Sequence, residues 1–195
     1  MISWPGVEPA NVPALTTTSD IFATLVDLFD VDIKHRTHGT SLLPLIRGEA
    51  DSIRDYVLCG VWGREVHLID DRYKYARAPE NANAPLSMWS NRWSTMPLPS
   101  RPEIRMPKPD DRAFLDKMPG STIPVIRQPF QQGDLLPYWA IGPFSGNHLY
   151  DLQDDPNEDE NIRGSSRERD QADKLRQALL DIEAPDDQLV RLGME

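Results

Sequence analysis

The stretch NHLYDLQDDPNEDENIRG, residues 147–164, decides the fold of this chain. Its first half reads as a short strand, because Leu149 and Leu152 are apolar and Tyr150 stands beside them. Its second half reads as a turn, because four residues there combine side-chain capping with a fixed φ: Asp154, Asp155, Pro156 and Asn157. The stretch therefore predicts an edge or return strand followed by a tight turn. Glu158 and Asn161 stand where the chain continues beyond that turn.

The acidic residues of this turn also raise the hypothesis of a calcium site. An EF-hand loop needs acids at alternate positions around a central glycine, with a glutamate at its end. No such glycine occurs between residues 151 and 161. The spacing therefore favours a structural turn over a metal site.

Residues 54–77 predict the strands that this return strand would join. Three short runs rich in β-branched and aromatic residues follow one another, RDYVLCGVW, REVHLID and RYKYAR. The pairs Gly63–Arg64 and Asp70–Asp71 separate them as turns. Together with NHLYDL, they predict a small antiparallel sheet of about four strands.

Helical patterns flank this region at both ends of the chain. After TTTSD, where Thr18 or Ser19 could cap a helix and Asp20 suits its first turn, one apolar face predicts a buried core helix: Ile21, Phe22, Leu25, Val26, Leu28 and Phe29. The run HGTSLLPLIRGEA predicts one or two further helical turns. Near the end, a narrow stripe predicts a surface helix that stops before Pro185: Ala172, Leu175, Leu179 and Ile182.

Residues 78–146 are the least regular part of the sequence. They hold 12 of the 18 prolines and three of the five tryptophans. Because a disordered linker would be poor in aromatic residues, the composition predicts an ordered, proline-stiffened irregular segment that wraps over a larger body. The predicted fold class is therefore α+β, with a long proline-rich irregular insert.

Charge and composition limit the partners of the chain. A formal net charge of -10 argues against nucleic acid, whose phosphates such a field repels. No stretch approaches the roughly 18 consecutive apolar residues of a membrane span. The single cysteine, Cys59, excludes an intrachain disulfide framework and a cysteine zinc site.

Three segments together resemble the sulfatase family of the alkaline phosphatase superfamily, and they occur in the order found there. SDIFATLVDLF, residues 19–29, resembles the family's aspartate followed by a threonine-led apolar helix. HGTSLLPLIRG, residues 38–48, resembles its glycine-serine-leucine-leucine-proline stretch. RYKYAR, residues 72–77, followed by LYDLQDDPNEDEN, residues 149–161, resembles the strand pair that ends the family's small antiparallel sheet.

This resemblance implies a domain organisation and a function. Residues 1–50 would be the end of an alkaline-phosphatase-like α/β catalytic domain, and residues 51–195 a C-terminal antiparallel-sheet subdomain with the insert at 78–146. The chain would be the C-terminal portion of a sulfuric ester hydrolase. Its partners would be the N-terminal catalytic portion and a sulfated small molecule or glycan.

The catalytic motifs of the family are missing from this sequence. Cys59 is followed by GVWGR, which is not the C-x-P-x-R context of a formylglycine precursor, and Ser94 and Ser100 fail the corresponding serine test. Thr37 stands in THGTS where an acidic metal ligand would be needed. The resemblance places the nucleophile and ligands upstream of a PG that SWPG, residues 3–6, matches. We therefore expect no catalytic or metal residue here and an inert isolated chain, whereas the full-length enzyme would bind calcium or another divalent cation.

Two alternatives to a sulfatase fragment remain open on the sequence. The first is a phosphate or phosphonate ester hydrolase of the same superfamily, which would carry an upstream Thr or Ser nucleophile without formylglycine context. The second is a non-catalytic sulfatase-like binding module. Purified chain that stays monomeric and binds a sulfated glycan would favour the module.

Two groups of residues are candidates for substrate binding. The first lies between the apolar helix and GTSLLP, where imidazole and guanidinium groups could meet an anion: His35, Arg36 and His38. The second lies in SMWSNRWSTMP, where two indoles could stack on a sugar ring while an arginine pairs with a sulfate: Trp89, Arg92 and Trp93. In both groups, ordinary surface or packing roles are the competing interpretation.

Overall fold

The structure is a computed structural model that describes residues 2–91 and 107–195. Contacts between residues divide the chain into two compact units. One unit comprises Met1–Val57 and Ile69–Arg72, and the other comprises Leu58–Leu68 and Tyr73–Glu195. The predicted boundary between residues 50 and 51 stays a prediction.

A four-stranded antiparallel sheet stands where the sequence predicts it. Its strands are β1 (Tyr56–Gly60), β2 (Val66–Asp70), β3 (Tyr73–Arg77) and β7 (His148–Asp151), in the order β1-β2-β3-β7. The return strand β7 pairs with β3 from Tyr73 opposite Asp151 to Ala76 opposite His148. The α+β fold class and the fourth, distant strand are thereby confirmed.

Helix α3 (Ser166–Asp181) covers one face of this sheet. Of the predicted stripe, Leu175 and Leu179 are buried, while Ala172 and Ile182 are half-buried. They share the core with residues whose side chains have at most 3% of their surface exposed: Leu68, Tyr75, Leu149 and Ala178. Side chains two residues apart point to the same side of a strand. Alternate residues of β3 and β7 therefore form the sheet face that α3 covers.

A short helix, α4 (Asp186–Arg191), follows Pro185 and was not predicted. Its last residue, Arg191, is only 2% exposed. The guanidinium donates to the carbonyl of Arg64 at 3.1 Å and to Asn83 Oδ1 at 2.7 Å. Burial lowers the pKa of Arg191 to about 10. The chain end is thus fixed by hydrogen bonds to neutral oxygens, which partly compensate the cost of burying a cation.

The segment 78–146 contains a second sheet, which corrects the prediction of an irregular insert. Its strands are β4 (Leu86–Ser90), β5 (Phe114–Lys117) and β6 (Pro124–Phe130), antiparallel in the order β4-β6-β5. Trp62 connects this region to the preceding hairpin, because its indole N–H donates to the carbonyl of Ser87 at 2.9 Å and its ring packs edge-on against Phe130. The described part of the segment is therefore ordered, as its aromatic content predicts.

The first unit contains α1 (Ser19–Leu28) and α2 (Leu43–Ile46), both at predicted positions. The predicted burial of α1 is wrong. Its buried residues are Asp20 and Thr24, whereas most of its apolar side chains are exposed: Ile21, Phe22, Leu25, Leu28 and Phe29. We call these five exposed residues the apolar arc of α1. Thr18 holds the predicted cap position but makes no side-chain capping hydrogen bond.

Polar bonds hold α1 with this orientation. The buried carboxylate of Asp20 accepts from the backbone N–H of Thr17 at 2.6 Å and of Thr40 at 2.9 Å, and it pairs with Arg54. Thr24 Oγ1 donates to the carbonyl of Asp20 and accepts from the N–H of Leu42 at 2.8 Å. Rotating the helix to bury its apolar arc would break these bonds, so the arc is fixed outward.

Candidate functional site

The first predicted group lies in the loop between α1 and α2. His35, Arg36 and His38 are all exposed there. The His35 ring lies near Phe22 of the apolar arc, with ring centroids 6.1 Å apart. In the part of the chain that the structure describes, these three residues do not come together as an anion-binding site. Their role in substrate binding therefore stays a prediction.

The second predicted group is only partly described. Trp89 lies in β4, half-buried, while Arg92 and Trp93 lie outside the described residues. The cation beside Trp89 is Arg127 of β6, its register partner, whose guanidinium carbon lies 4.7 Å from the indole centroid. The same guanidinium lies 5.7 Å from the ring centroid of Phe114 in β5. Trp89 therefore belongs to a stacked cluster that the sequence prediction did not contain.

Arg127 is also held by two carboxylates. It donates to Asp116 Oδ2 at 3.1 Å and to Asp187 Oδ2 at 2.6 Å, and Ser87 Oγ donates to the same Asp187 oxygen at 3.0 Å. Such charge-assisted bonds fix the plane of a guanidinium. We call Trp89, Phe114, Asp116, Arg127 and Asp187 the Arg127 cluster.

Sequence reasoning missed this cluster because its members come from distant segments. Trp89 and Arg127 are 38 positions apart, and only the β4–β6 register brings them opposite each other. Asp187 lies in the first turn of α4, where an acidic residue is common for helix-start reasons alone. Residues 151–195 carry 14 acidic side chains against 6 lysines and arginines, and this excess by itself does not indicate which cation any one of them pairs with.

The face of the four-stranded sheet opposite α3 carries a second polar cluster, around Asn161 and His148. Asn161 Oδ1 accepts from the backbone N–H of Leu149 at 3.0 Å and of Arg163 at 3.1 Å. These two donors fix the orientation of the amide. Its Nδ2 group therefore donates to His148 Nδ1, 3.2 Å away.

Two hydroxyl groups also surround the His148 ring. Tyr150 Oη lies 3.1 Å from the same Nδ1, and Ser145 Oγ lies 2.6 Å from Nε2. Ser145 and His148 therefore have the spacing of a nucleophile–base pair, the arrangement in which a histidine can take a proton from a serine hydroxyl.

Other ionisable groups lie close to this cluster. Lys74 Nζ binds both carboxylate oxygens of Glu158, at 2.6 and 2.8 Å. Burial, together with the charge of Lys74, lowers the pKa of His67. Burial raises the pKa of the Cys59 thiol, which disfavours the thiolate that a nucleophilic cysteine requires. Cys59 is thereby unsuited to nucleophilic chemistry in this conformation.

The acidic turn after β7 holds its own backbone through the side chain of Asp155. Asp155 accepts from the backbone N–H of Asp159 at 3.0 Å and of Glu160 at 2.8 Å, and these bonds lower its pKa. Glu158 is engaged by Lys74. Across residues 2–91 and 107–195, no three or more His, Cys, Asp or Glu side chains are grouped to hold a metal ion. Within the same ranges, no helix has the length and apolarity needed to cross a membrane.

Comparison with known proteins gives a likeness among solved structures. No family model and no curated protein matches this chain. Among solved structures it resembles a sulfatase of Bacteroides thetaiotaomicron, BT33336S-sulf, described with the metabolism of multiple glycosaminoglycans. The two share 16% identity with a TM-score of 0.43, over 85% of this chain and 24% of that chain. At this level the likeness carries no inference about activity.

Proposed function

We propose that this chain is the C-terminal portion of a sulfatase, a sulfuric ester hydrolase, and that it forms a working enzyme with an N-terminal catalytic portion. The three resembling segments support this proposal through their order along the chain. They cover α1, then α2 with the loop before it, and the strands that close the sheet.

One observation carries the proposal. The resemblance implies that RYKYAR and LYDL form the strand pair that ends a small antiparallel sheet, and these two segments do pair as β3 and β7, with partner residues 72 to 78 positions apart. The Asp155 turn and helix α3 then follow in sequence. A chance match of short motifs would give no reason for two such distant segments to be neighbours.

The apolar arc of α1 supports the need for a further body. Phe29 is 70% exposed and Ile21 is 54% exposed, although both lie on the apolar side of an amphipathic helix. An apolar face of this kind is normally buried in a domain or an interface. On the proposal, the catalytic portion covers it.

The residues of this chain would then supply scaffold, and the chemistry would come from the partner portion. In this family, a formylglycine attacks the sulfate ester beside a divalent cation, and the cation and its ligands would lie in the N-terminal portion. The substrate would be a sulfated small molecule or glycan. His35, Arg36, His38 and the indoles of Trp89 and Trp93 stay candidates for contacting it, as does Arg92.

The coding sequence upstream of Met1 tests this proposal directly. We expect an open frame continuous with this chain that contains C-x-P-x-R or S-x-P-x-R. Expression of the joined protein should give hydrolysis of an aryl sulfate that this chain alone lacks, and exchange of the motif Cys or Ser for Ala should abolish it. An upstream Thr or Ser nucleophile without that motif would instead favour a phosphate or phosphonate ester hydrolase. A frame without either would remove the enzymatic proposal.

A further inference from the structure

The second unit contains an open groove beside the Arg127 cluster, with a volume of about 600 Å³. Residues of the second sheet line it, together with the turn that follows β5: Trp89, Arg127, Asp116, Lys117, Pro119 and Gly120. The rest of the lining comes from the end of α3 and the start of α4: Leu180, Glu183, Ala184, Pro185, Asp186 and Asp187. The volume falls in the range of about 300–1,000 Å³ that is typical of small-molecule sites.

The walls of this groove are held in place before any ligand arrives. Arg127 joins β5 to β6 through Asp116 and joins the sheet to α4 through Asp187. Its guanidinium is stacked on Trp89 at the same time. Ligand binding would therefore cost little free energy for ordering the side chains of the groove.

The charges of the groove argue against an anionic ligand. Four carboxylates line it, against two cations: Asp116, Glu183, Asp186 and Asp187 against Lys117 and Arg127. Hydrogen bonds from the Lys117 backbone N–H and from Arg127 lower the pKa of Asp116, so that carboxylate is ionised at neutral pH. Excess negative charge repels a sulfate or phosphate group.

The place that a cationic ligand would take is already filled. The best position for a cation lies over the indole face and between the carboxylates. Arg127 occupies that position, bonded to Asp116 and Asp187 and stacked on Trp89. A second cation would have to lie beside Arg127 and would be repelled by it.

A ligand that suits the remaining groups is uncharged and both donates and accepts hydrogen bonds. Ionised carboxylates only accept, and the Lys117 ammonium only donates. The wall residues Leu180, Pro119 and Pro185 add apolar surface, as the C–H faces of a ring require. We propose that this groove binds an uncharged, hydroxyl-rich ring, that is, an unsulfated sugar unit. The site goes beyond the proposed esterase function and does not depend on it.

A titration of the ¹⁵N-labelled full chain tests this site, with N-acetylglucosamine, galactose and lactose as neutral probes and the 6-sulfates of the two monosaccharides as matched comparisons. We expect at least one neutral sugar to shift the Trp89 indole N–H signal and the amides of Lys117 and Gly120. The matching 6-sulfate should bind at least about tenfold more weakly. Trp89→Phe should lower the affinity about three- to tenfold, whereas Trp139→Phe, outside the groove, should leave it unchanged.

Three results would overturn the site. They are equal or tighter binding of the sulfated sugar, the same signal shifts with spermidine, and no shift with any neutral sugar at concentrations up to roughly 50 mM. If Trp89→Phe does not fold, Leu180→Trp serves instead, because Leu180 is 40% exposed at the rim and a larger ring would fill the groove. Retained sugar binding in a folded Leu180→Trp variant would equally contradict the proposal. Failure here leaves the upstream reading frame, and hence the sulfatase proposal, unaffected.

Discussion

Asn161 connects four parts of the sheet end through one side chain. Its amide accepts from two backbone N–H groups and donates to the Asn147 carbonyl at 3.3 Å and to the His148 ring. No other short polar residue offers both two lone pairs and two donors in one plane. The sequence shows that an asparagine leaves the turn, but three of its four bonding partners lie 12 to 14 positions away and depend on the folded register.

Replacement of Asn161 should therefore destabilise the second unit. We expect Asn161→Ala to lower the free energy of unfolding by about 1–3 kcal/mol, because the Leu149 N–H is left without its acceptor. Urea denaturation followed by circular dichroism measures this change. Asn157→Ala is the matched control, since Asn157 is exposed in the same turn and should change stability by less than about 0.5 kcal/mol. Equal effects of the two variants would contradict the role of Asn161.

Asp20 has the corresponding role in the first unit. Burial raises the pKa of its carboxyl, but the hydrogen bonds from Arg54, Thr40 and Thr17 outweigh burial, and the net pKa lies below its usual value. The carboxylate therefore stabilises the folded state above the unfolded-state pKa, and this contribution is lost as the pH falls through the lower, folded-state pKa.

The acid sensitivity of the first unit should depend on Asp20. At neutral pH we expect Asp20→Asn to be less stable than the parent chain, by up to about 3–5 kcal/mol, because Arg54, whose side chain is only 14% exposed, loses its counter-charge. The difference should shrink as the pH falls below about 4, where the parent carboxyl becomes protonated. Denaturation curves at several pH values report it, with Asp27→Asn, an exposed position on the same helix, as control. A difference that is independent of pH would contradict this assignment.

At the scale of elements, patterns of period two and 3.6 predict where strands and helices lie but not what covers them. The four-stranded sheet and α3 follow from alternation and from an apolar stripe, and both are present. The pattern of α1 is equally clear, yet its buried side is polar, because only tertiary contacts decide which side of a helix meets protein.

The second sheet was missed for a reason that lies in β6. Prolines 124 and 129 argue against a strand in the middle of a sheet, because proline cannot donate to the ladder. The structure accommodates both. Pro124 is the first residue of the strand, and β5 pairs only with residues 124–127, so Pro129 has a neighbour on one side only, opposite Ser87.

Exposed and buried apolar positions should respond differently to substitution. We expect Phe29→Ser in the apolar arc to change the free energy of unfolding of the isolated chain by less than about 0.5 kcal/mol. Leu175→Ala in α3, whose side chain is fully buried, should cost about 2–5 kcal/mol. Urea denaturation of both variants gives the comparison. A large loss of stability in Phe29→Ser would show that the arc is already packed.

At the scale of the whole molecule, the chain combines a net charge of -10 with the exposed apolar arc of α1. Repulsion between copies opposes association, and the arc favours it, so ionic strength should decide between them. The charge was predictable from composition alone. The uncovered surface was not, because it arises from the orientation in which Asp20 and Thr24 hold α1.

The isolated chain should therefore self-associate and bind the dye ANS increasingly as salt screens its charge. The triple variant Phe22→Ser, Leu25→Ser, Phe29→Ser should remain monomeric and bind markedly less dye under the same conditions. Sedimentation velocity across a salt series measures the association. Equal behaviour of the parent chain and the variant would show that the arc of α1 is not its cause.

The outward side of α1 also has a consequence for how this sequence can change over generations. Substitution of Ile21, Phe22 or Phe29 by serine or lysine should not impair the folding of this chain by itself, because these three side chains are exposed. Relatives in which another domain or subunit covers α1 should keep apolar residues at these positions. Relatives without such a covering body should have polar residues there. The apolar arc of α1 would then indicate, in a comparison of relatives, which of them still bind such a body.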